Sequence, residues 1–138
     1  MPIRYFCEGV QFQVLQPRKK SKWLNAVVNK EGHSVSLINI IFCSDSYLAK
    51  LNRRYLGHKT LTDTITFQYS APQESIEGDI FISIPRVKEN SKKFKVDFDI
   101  ELSRVMVHGV LHLLGYSDKS SSDKAIMRLK EDTYLSLR

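Results

Sequence analysis

The most constraining stretch of this sequence is VHGVLHLLGYSD, at residues 107–118. His108 and His112 stand four residues apart in a run that is otherwise largely apolar, and such a run is typical of a helix buried in the core. Side chains at positions i and i+4 lie on one face of a helix, about 5–6 Å apart at Cβ. The sequence therefore predicts a core helix whose two imidazoles can reach the same ion.

A third ligand is expected from the residues that follow this helix. Gly115 favours a helix end, because glycine tolerates the left-handed conformation that often terminates a helix. A turn there would bring Asp118 towards the two histidines, whereas Asp123 lies beyond a serine run that is expected to begin the next helix. Two His nitrogens and one carboxylate, with a position left open for water, are typical of a catalytic zinc site. The alternative is that both histidines are core residues with ordinary hydrogen-bond partners, and the spacing alone does not decide between the two.

The residue between the histidines bears on which reaction such a site could support. Zinc peptidases of the H-E-x-x-H type carry a glutamate after the first histidine as general base. Gly109 occupies that position here, so a metallopeptidase is the weaker interpretation. Any general base must come from another segment.

Composition sets the broad class of protein. A chain of 138 residues is expected to form one domain, residues 1–138, and no apolar run approaches the ~20 residues that span a membrane. Cys7 and Cys43 form no C-x-x-C pattern, and an acid, Glu8, lies where a signal peptide would be apolar, so we expect a cytoplasmic protein. The net charge of +6 favours a polyanionic partner.

Hydrophobic patterning predicts an α+β fold in which helices cover one mixed sheet of about four strands. The expected strands are residues 3–14 at an edge, 34–43 in the centre, and 62–69 paired antiparallel with 78–84. Helices are expected at residues 17–31 and 47–55, for the motif helix, and for a last helix that Ser121 or Ser122 caps. The apolar residues of that last helix are Ile126, Leu129, Tyr134 and Leu137.

Three sequence strings resemble the motifs of the YbeY family. The string HGVLHLLGY at residues 108–116 is similar to the central motif of that family, LNRRY with TDTITF is similar to a second, and GDI at residues 78–80 to a third. The resemblance implies a zincin-like fold in which His108, His112 and Asp118 hold Zn²⁺. It also implies a zinc-dependent hydrolase, an endoribonuclease that acts with the ribosome in maturation of ribosomal RNA (the 16S rRNA 3′ end) and in ribosome quality control.

Two positions depart from the pattern of that family. Asp118 stands where the family usually has a histidine, and a carboxylate would acidify bound water less and make the site more hospitable to ions such as manganese. Leu56 stands where the family commonly carries an arginine thought to hold the phosphate. Candidates for that catalytic role nearby are Arg53, Arg54, His58 and Lys59, although an exposed helix face explains the two arginines equally well.

Other polar residues carry two interpretations each. Asp63 could orient a ligand histidine through its second ring nitrogen, or cap a turn. The basic run from Arg18 to Lys22 is either a solvated face or a surface for RNA phosphates. At the level of function, the alternative to a nuclease is a non-catalytic, ribosome-associated RNA-binding protein with a structural metal.

Overall fold

One four-stranded sheet forms the centre of the protein. The computed structural model describes residues 2–57, 62–71 and 75–138. Within these ranges the strands are β1 (Ile3–Glu8), β2 (Val35–Cys43), β3 (Thr64–Gln68) and β4 (Ile76–Ser83). They lie side by side in the order β1-β2-β4-β3, with β1, β2 and β4 parallel and β3 antiparallel to β4. The predicted mixed sheet and the predicted antiparallel pair are both confirmed.

The strands differ from their predicted extents mainly at the first edge. β1 ends at Glu8 rather than at residue 14, because Gly9 adopts a left-handed backbone conformation (φ 73°) that turns the chain out of the sheet. β2 is interior, between β1 and β4, as its nearly continuous apolar sequence predicts for a strand covered on both faces.

Five helices cover the sheet in the described part of the chain: α1 (Pro17–Lys30), α2 (Asp45–Leu51), α3 (Ile84–Phe94), α4 (Phe98–Leu113) and α5 (Ser121–Ser136). α2 continues into a π-helical turn, Asn52–Leu56, in which the amide of Gly57 donates to the carbonyl oxygen of Asn52. The single helix predicted over residues 47–55 is therefore two segments. No helix among the described residues is long and apolar enough to cross a bilayer.

α4 is the core helix that the sequence predicts. It lies against β4, and a Cβ built on Gly109 would sit 2.7 Å from the Cγ2 atom of Ile80. A glycine at this position therefore lets the helix approach the sheet closely, which is the close approach that a glycine inside a helix suggests. The neighbour that approaches is a side chain of the sheet rather than its backbone.

α5 packs against α4. Its cap is Ser120 rather than the predicted Ser121 or Ser122, with the Ser120 Oγ accepting from the amide of Asp123. The buried side chains are Met127, Glu131 and Tyr134, while the predicted apolar residues Ile126, Leu129 and Leu137 are exposed. Of the four apolar residues expected on this helix, Tyr134 is the one that is buried, and Met127 and Glu131 complete the buried set.

Candidate metal centre

His108 and His112 lie on one face of α4 near its C-terminal end, one helical turn apart. Their Nε2 atoms are 3.0 Å from each other, and both side chains remain about one-fifth to one-quarter exposed (22% and 24%). The spacing of i and i+4 thus brings the two imidazoles together as predicted. The histidines face a cleft rather than the closed core.

The turn after α4 brings Asp118 to the same place. Gly115 has a φ of 103°, and the amide of Tyr116 donates to the carbonyl oxygen of Leu111, which folds the chain back over the helix end. The Asp118 Oδ2 atom lies 3.4 Å from His108 Nε2 and 3.3 Å from His112 Nε2. One ligand atom from each of the three residues lies within 4.8 Å of the others.

Hydrogen bonds at the far side of each ring fix both tautomers. The Tyr116 carbonyl can only accept, so the His112 Nδ1–H donates to it at 3.1 Å. His108 Nδ1 lies 2.6 Å from Glu131 Oε2 and donates to that carboxylate. With both Nδ1 hydrogens engaged, two Nε2 lone pairs face one another, and only a shared proton or a cation relieves their repulsion.

The surrounding charges move the two histidine pKa values in opposite directions. Burial works against a charged His108, but Glu131, with smaller effects from Asp63 and Asp118, outweighs it and raises the His108 pKa above 6.5. Burial and the neighbouring positive charge of His108 lower the pKa of His112 below 6.5. Of the two rings, His108 is therefore the one that more readily accepts a second proton.

Glu131 is the orienting carboxylate that the sequence analysis missed. It is 5% exposed, and its second oxygen accepts from Arg104 at 2.9 Å, while Arg104 also donates to Asp132 at 2.8 Å. Burial alone would raise the Glu131 pKa, but the bonds from His108 and Arg104 lower it. A carboxylate behind a ligand histidine fixes its tautomer and increases its basicity.

Asp63 does not take that orienting position. The structure shows no hydrogen bond between its carboxylate and either histidine, although it lies in the same cleft. Burial raises its pKa, an effect that the charge of His108 opposes. The carbonyl oxygen of Asp63 accepts from the amide of Ser83 and so ties the start of β3 to the end of β4.

A second set of contacts anchors the turn that carries Asp118. The Glu31 carboxylate accepts from the hydroxyls of Tyr116 and Tyr134 and pairs with Lys130 at 3.0 Å. Burial would raise the Glu31 pKa, but the two hydroxyls and Lys130 outweigh it and hold the pKa below 4.5. Tyr116 therefore contributes its carbonyl to His112 and its hydroxyl to Glu31 at the end of α1.

The histidines and Asp118 form one end of a cleft of about 600 Å³. Its walls come from α3, α4, α5, the π-helical turn and β3. The charged side chains along it, besides the three candidate ligands, are Asp63, Glu101, Arg104, Arg128 and Glu131. Glu101 is buried, which raises its pKa. Glu101 and Arg104 both line the cleft, and Arg104 pairs with Glu131 and Asp132 rather than with Glu101.

The predicted phosphate-binding residues lie elsewhere or outside the described residues. Arg53 and Arg54 are exposed on the π-helical turn and do not line the cleft, and the guanidinium of Arg54 lies 5.5 Å from the ring centre of Tyr55. His58 and Lys59 fall outside the described residues. In the basic run of α1, Lys20 is buried and pairs with Asp99 at 2.9 Å, so it belongs to the protein interior.

Two imidazole nitrogens and a carboxylate oxygen, all directed to one point beside an open cleft, fit a divalent cation. The donor set matches that of zinc sites that keep a position open for water or substrate. A structural zinc site would instead be expected to be closed by four protein ligands. The residues present therefore fit a metal with substrate access.

Comparisons with known proteins agree with the sequence motifs. Residues 9–137 match the family described as Endoribonuclease YbeY. The chain is 47% identical to the protein of that name from Amoebophilus asiaticus (strain 5a2) over 96% of this chain and 90% of the relative. It is 50% identical to that of Flavobacterium psychrophilum over 93% of this chain and 91% of the relative.

A solved structure gives the same result at the level of the fold. The solution structure of TM1509 from Thermotoga maritima superposes with a TM-score of 0.68 at 27% sequence identity, covering 96% of this chain and 87% of that one. Family match, sequence identity and fold cover nearly the whole chain. The chain belongs to the endoribonuclease YbeY family.

Proposed function

We propose that this protein is a zinc-dependent endoribonuclease that hydrolyses phosphodiester bonds of ribosomal RNA, with residues 1–138 forming one metallohydrolase domain. The observation that carries the proposal is the convergence of two Nε2 lone pairs and the Asp118 carboxylate at the end of an open cleft. The relatives that share this family are named endoribonucleases, which supports RNA as the substrate.

His108, His112 and Asp118 would hold the ion. Zinc suits a set of two imidazoles and one carboxylate, although the carboxylate also suits manganese. The chemistry that such an ion supplies when bound is Lewis acidity towards a phosphoryl oxygen and acidification of a water molecule.

The protein's own residues prepare this site. Glu131 holds the Nδ1 proton of His108 and the Tyr116 carbonyl holds that of His112, so both Nε2 lone pairs stay directed at the ion. Arg104 balances the charge of Glu131 and keeps that carboxylate in place. The imidazoles need no rearrangement to bind the ion, which favours catalysis by preorganisation.

RNA would approach along a positively charged surface. The net charge of +6 attracts a polyanion, and the exposed Arg53 and Arg54, which do not line the cleft, would contact RNA phosphates outside it without reading the sequence. His58 stays a candidate for an acid–base or phosphate role on sequence grounds alone. Maturation of the 16S rRNA 3′ end together with the ribosome, in the cytoplasm, is the setting that the family suggests.

Incubation of metal-loaded protein with structured and single-stranded RNA tests the proposal. We expect cleavage that EDTA abolishes, that added Zn²⁺ or Mn²⁺ restores, and that His108→Ala eliminates. His33→Ala serves as the control, because His33 lies outside the cluster. Tight RNA binding without cleavage under all metal conditions would support instead the alternative, a ribosome-associated RNA-binding protein with a structural metal.

A further inference from the structure

The charges along the cleft are poorly matched to an RNA substrate. Among the described residues, four carboxyl groups line the cleft (Asp63, Glu101, Asp118 and Glu131) against two guanidinium groups, those of Arg104 and Arg128. A phosphodiester that enters such a cleft faces more carboxyl groups than guanidinium groups. Binding of an RNA phosphate therefore needs a positively charged side chain in the wall of the cleft, in addition to any ion at the histidines.

Arg104 is not free to serve as that cation. Its NH1 atom donates to Glu131 and its NH2 atom to Asp132, at 2.9 and 2.8 Å, and its side chain is 19% exposed. Moving it to a phosphate would break both bonds and remove the partner that holds Glu131 against His108. Arg104 therefore maintains the site rather than binding substrate.

Arg128 is different on each of these points. It lies on α5 three residues before Glu131, so one helical turn separates the two and both face the cleft. Its side chain is exposed, and within the described part of the chain it forms no hydrogen bond or ion pair, although its charge acts on the pKa of Glu101 across the cleft. α5 is fixed by its Ser120 cap and by the bonds of Glu131, so the guanidinium projects from a rigid helix.

We propose that Arg128 is a phosphate-binding residue of the cleft, which holds the RNA backbone one helical turn away from the residue that orients His108. A guanidinium presents a planar set of donors that fits two phosphate oxygens at once. This inference rests on the proposed function for the identity of the substrate. The choice of Arg128 rests on a separate observation: Arg104 is paired with two carboxylates, whereas Arg128 is not paired among the described residues.

The test compares Arg128→Ala and Arg128→Lys with a matched control, Lys124→Ala. Lys124 lies one turn earlier on the same helix, is exposed and does not line the cleft, so its variant removes the same charge from the same element. Equal thermal unfolding and equal zinc content of all variants confirm that the fold and the metal cluster are intact.

The first arm measures cleavage of a fluorescent single-stranded RNA by zinc-loaded protein. We expect kcat/KM to fall about 10- to 100-fold in Arg128→Ala, the range for a lost hydrogen bond to a charged group. The loss should be smaller in Arg128→Lys, which keeps the charge but not the bidentate geometry, and Lys124→Ala should stay within about twofold of the unmodified protein. Cleavage by Arg128→Ala at the rate of Lys124→Ala overturns the proposal and leaves the proposed function intact.

The second arm measures affinity for the same RNA in EDTA, across a series of KCl concentrations, by fluorescence anisotropy. Loss of one phosphate contact should make the slope of log Kd against log salt shallower by about 0.7 in Arg128→Ala, with the slope retained in Arg128→Lys. An unchanged slope in Arg128→Ala overturns the proposal. If the unmodified protein cleaves no RNA, the proposed function fails, and this arm alone decides whether Arg128 binds phosphate.

Discussion

Two segments of this protein carry motifs of the same family, yet the structure treats them differently. In the histidine segment, residues 108–118, the Nδ1 atom of each histidine is held by a second group, and the Tyr116 hydroxyl ties the turn that carries Asp118 to Glu31. In the segment of the π-helical turn, Arg53 and Arg54 are exposed and have no carboxylate partner among the described residues. The histidine segment is preorganised by buried contacts, whereas the arginines of the π-helical turn are exposed on the surface.

This difference indicates where function is concentrated. A metal site needs fixed donors, and the structure provides them through Glu131, the Tyr116 carbonyl and the Glu31 contacts. Contacts with an RNA backbone tolerate mobile side chains, because phosphates attract cations without strict geometry. We therefore expect large effects from substitutions around the histidines and small ones on the turn.

Removal of a candidate ligand should have the largest effect. His112→Ala removes one imidazole and the lone pair that faces His108. We expect zinc affinity to fall by more than about 100-fold, which exceeds the effect of losing a residue that only orients a ligand. Zinc per chain from elemental analysis and a chelator competition measure this. Stoichiometric zinc retained in His112→Ala would show that the ligand assignment is wrong.

Glu131→Gln should have the next largest effect. The variant keeps the size of the side chain but removes the charge that holds the His108 Nδ1–H, and we expect zinc affinity to fall by about 10- to 100-fold. Asp132→Asn is the control, since Asp132 contacts the same Arg104 but neither histidine. Equal zinc affinities for the two variants would show that Glu131 does not support zinc binding by His108. The histidine segment would then be less preorganised than the comparison of the two segments assumes.

Glu31→Gln tests the contacts that anchor the turn of Asp118. At pH 7 we expect the free energy of unfolding to fall by about 1–3 kcal/mol, because three donors lose a charged acceptor. The folded-state pKa of Glu31 lies below 4.5, so its stabilisation is present above that pH and disappears as the pH falls through the folded-state value.

Urea unfolding of the metal-free protein across pH measures this difference. The stabilities of Glu31→Gln and of the unmodified protein should converge below about pH 4.5. Glu89→Gln, which alters an exposed acid, should show no such convergence. A constant difference between Glu31→Gln and the unmodified protein down to pH 3 would contradict a role for the Glu31 charge.

Substitution on the π-helical turn should have the smallest effect. In the double variant Arg53→Ala/Arg54→Ala we expect RNA affinity to fall about two- to fivefold, as for exposed ion pairs, with unchanged zinc content. Anisotropy with the same RNA measures it. A loss of cleavage above 100-fold with unchanged zinc content would show that these arginines act in catalysis. It would contradict the expectation that the π-helical turn matters less than the histidine segment.

The sequence predicts those parts of the site that depend on local spacing. The separation of His108 and His112 and the turn at Gly115 follow from helix geometry and from the conformational freedom of glycine. The mixed sheet follows from the strand patterns. Each of these features is determined by residues close together in the chain.

Features that depend on contacts between residues far apart in the chain cannot be predicted from local spacing. Glu131 lies 23 residues beyond His108, and hydrophobic patterning treats it as a surface acid, whereas α5 buries it and leaves the apolar Ile126 and Leu129 exposed. The one available signal was that a buried ligand histidine needs a carboxylate behind it, and that requirement does not say which acid supplies it. For the same reason Asp63 was a reasonable expectation that the structure does not support.

Anomalous diffraction at the zinc edge, from crystals of untagged protein prepared without chelators, tests the central claim most directly. We expect one peak per chain, about 2.0–2.2 Å from the Nε2 atoms of His108 and His112 and from an Asp118 oxygen. A map with no peak there, with Asp118 directed into solvent and the two imidazoles bonded only to protein groups, would contradict the account.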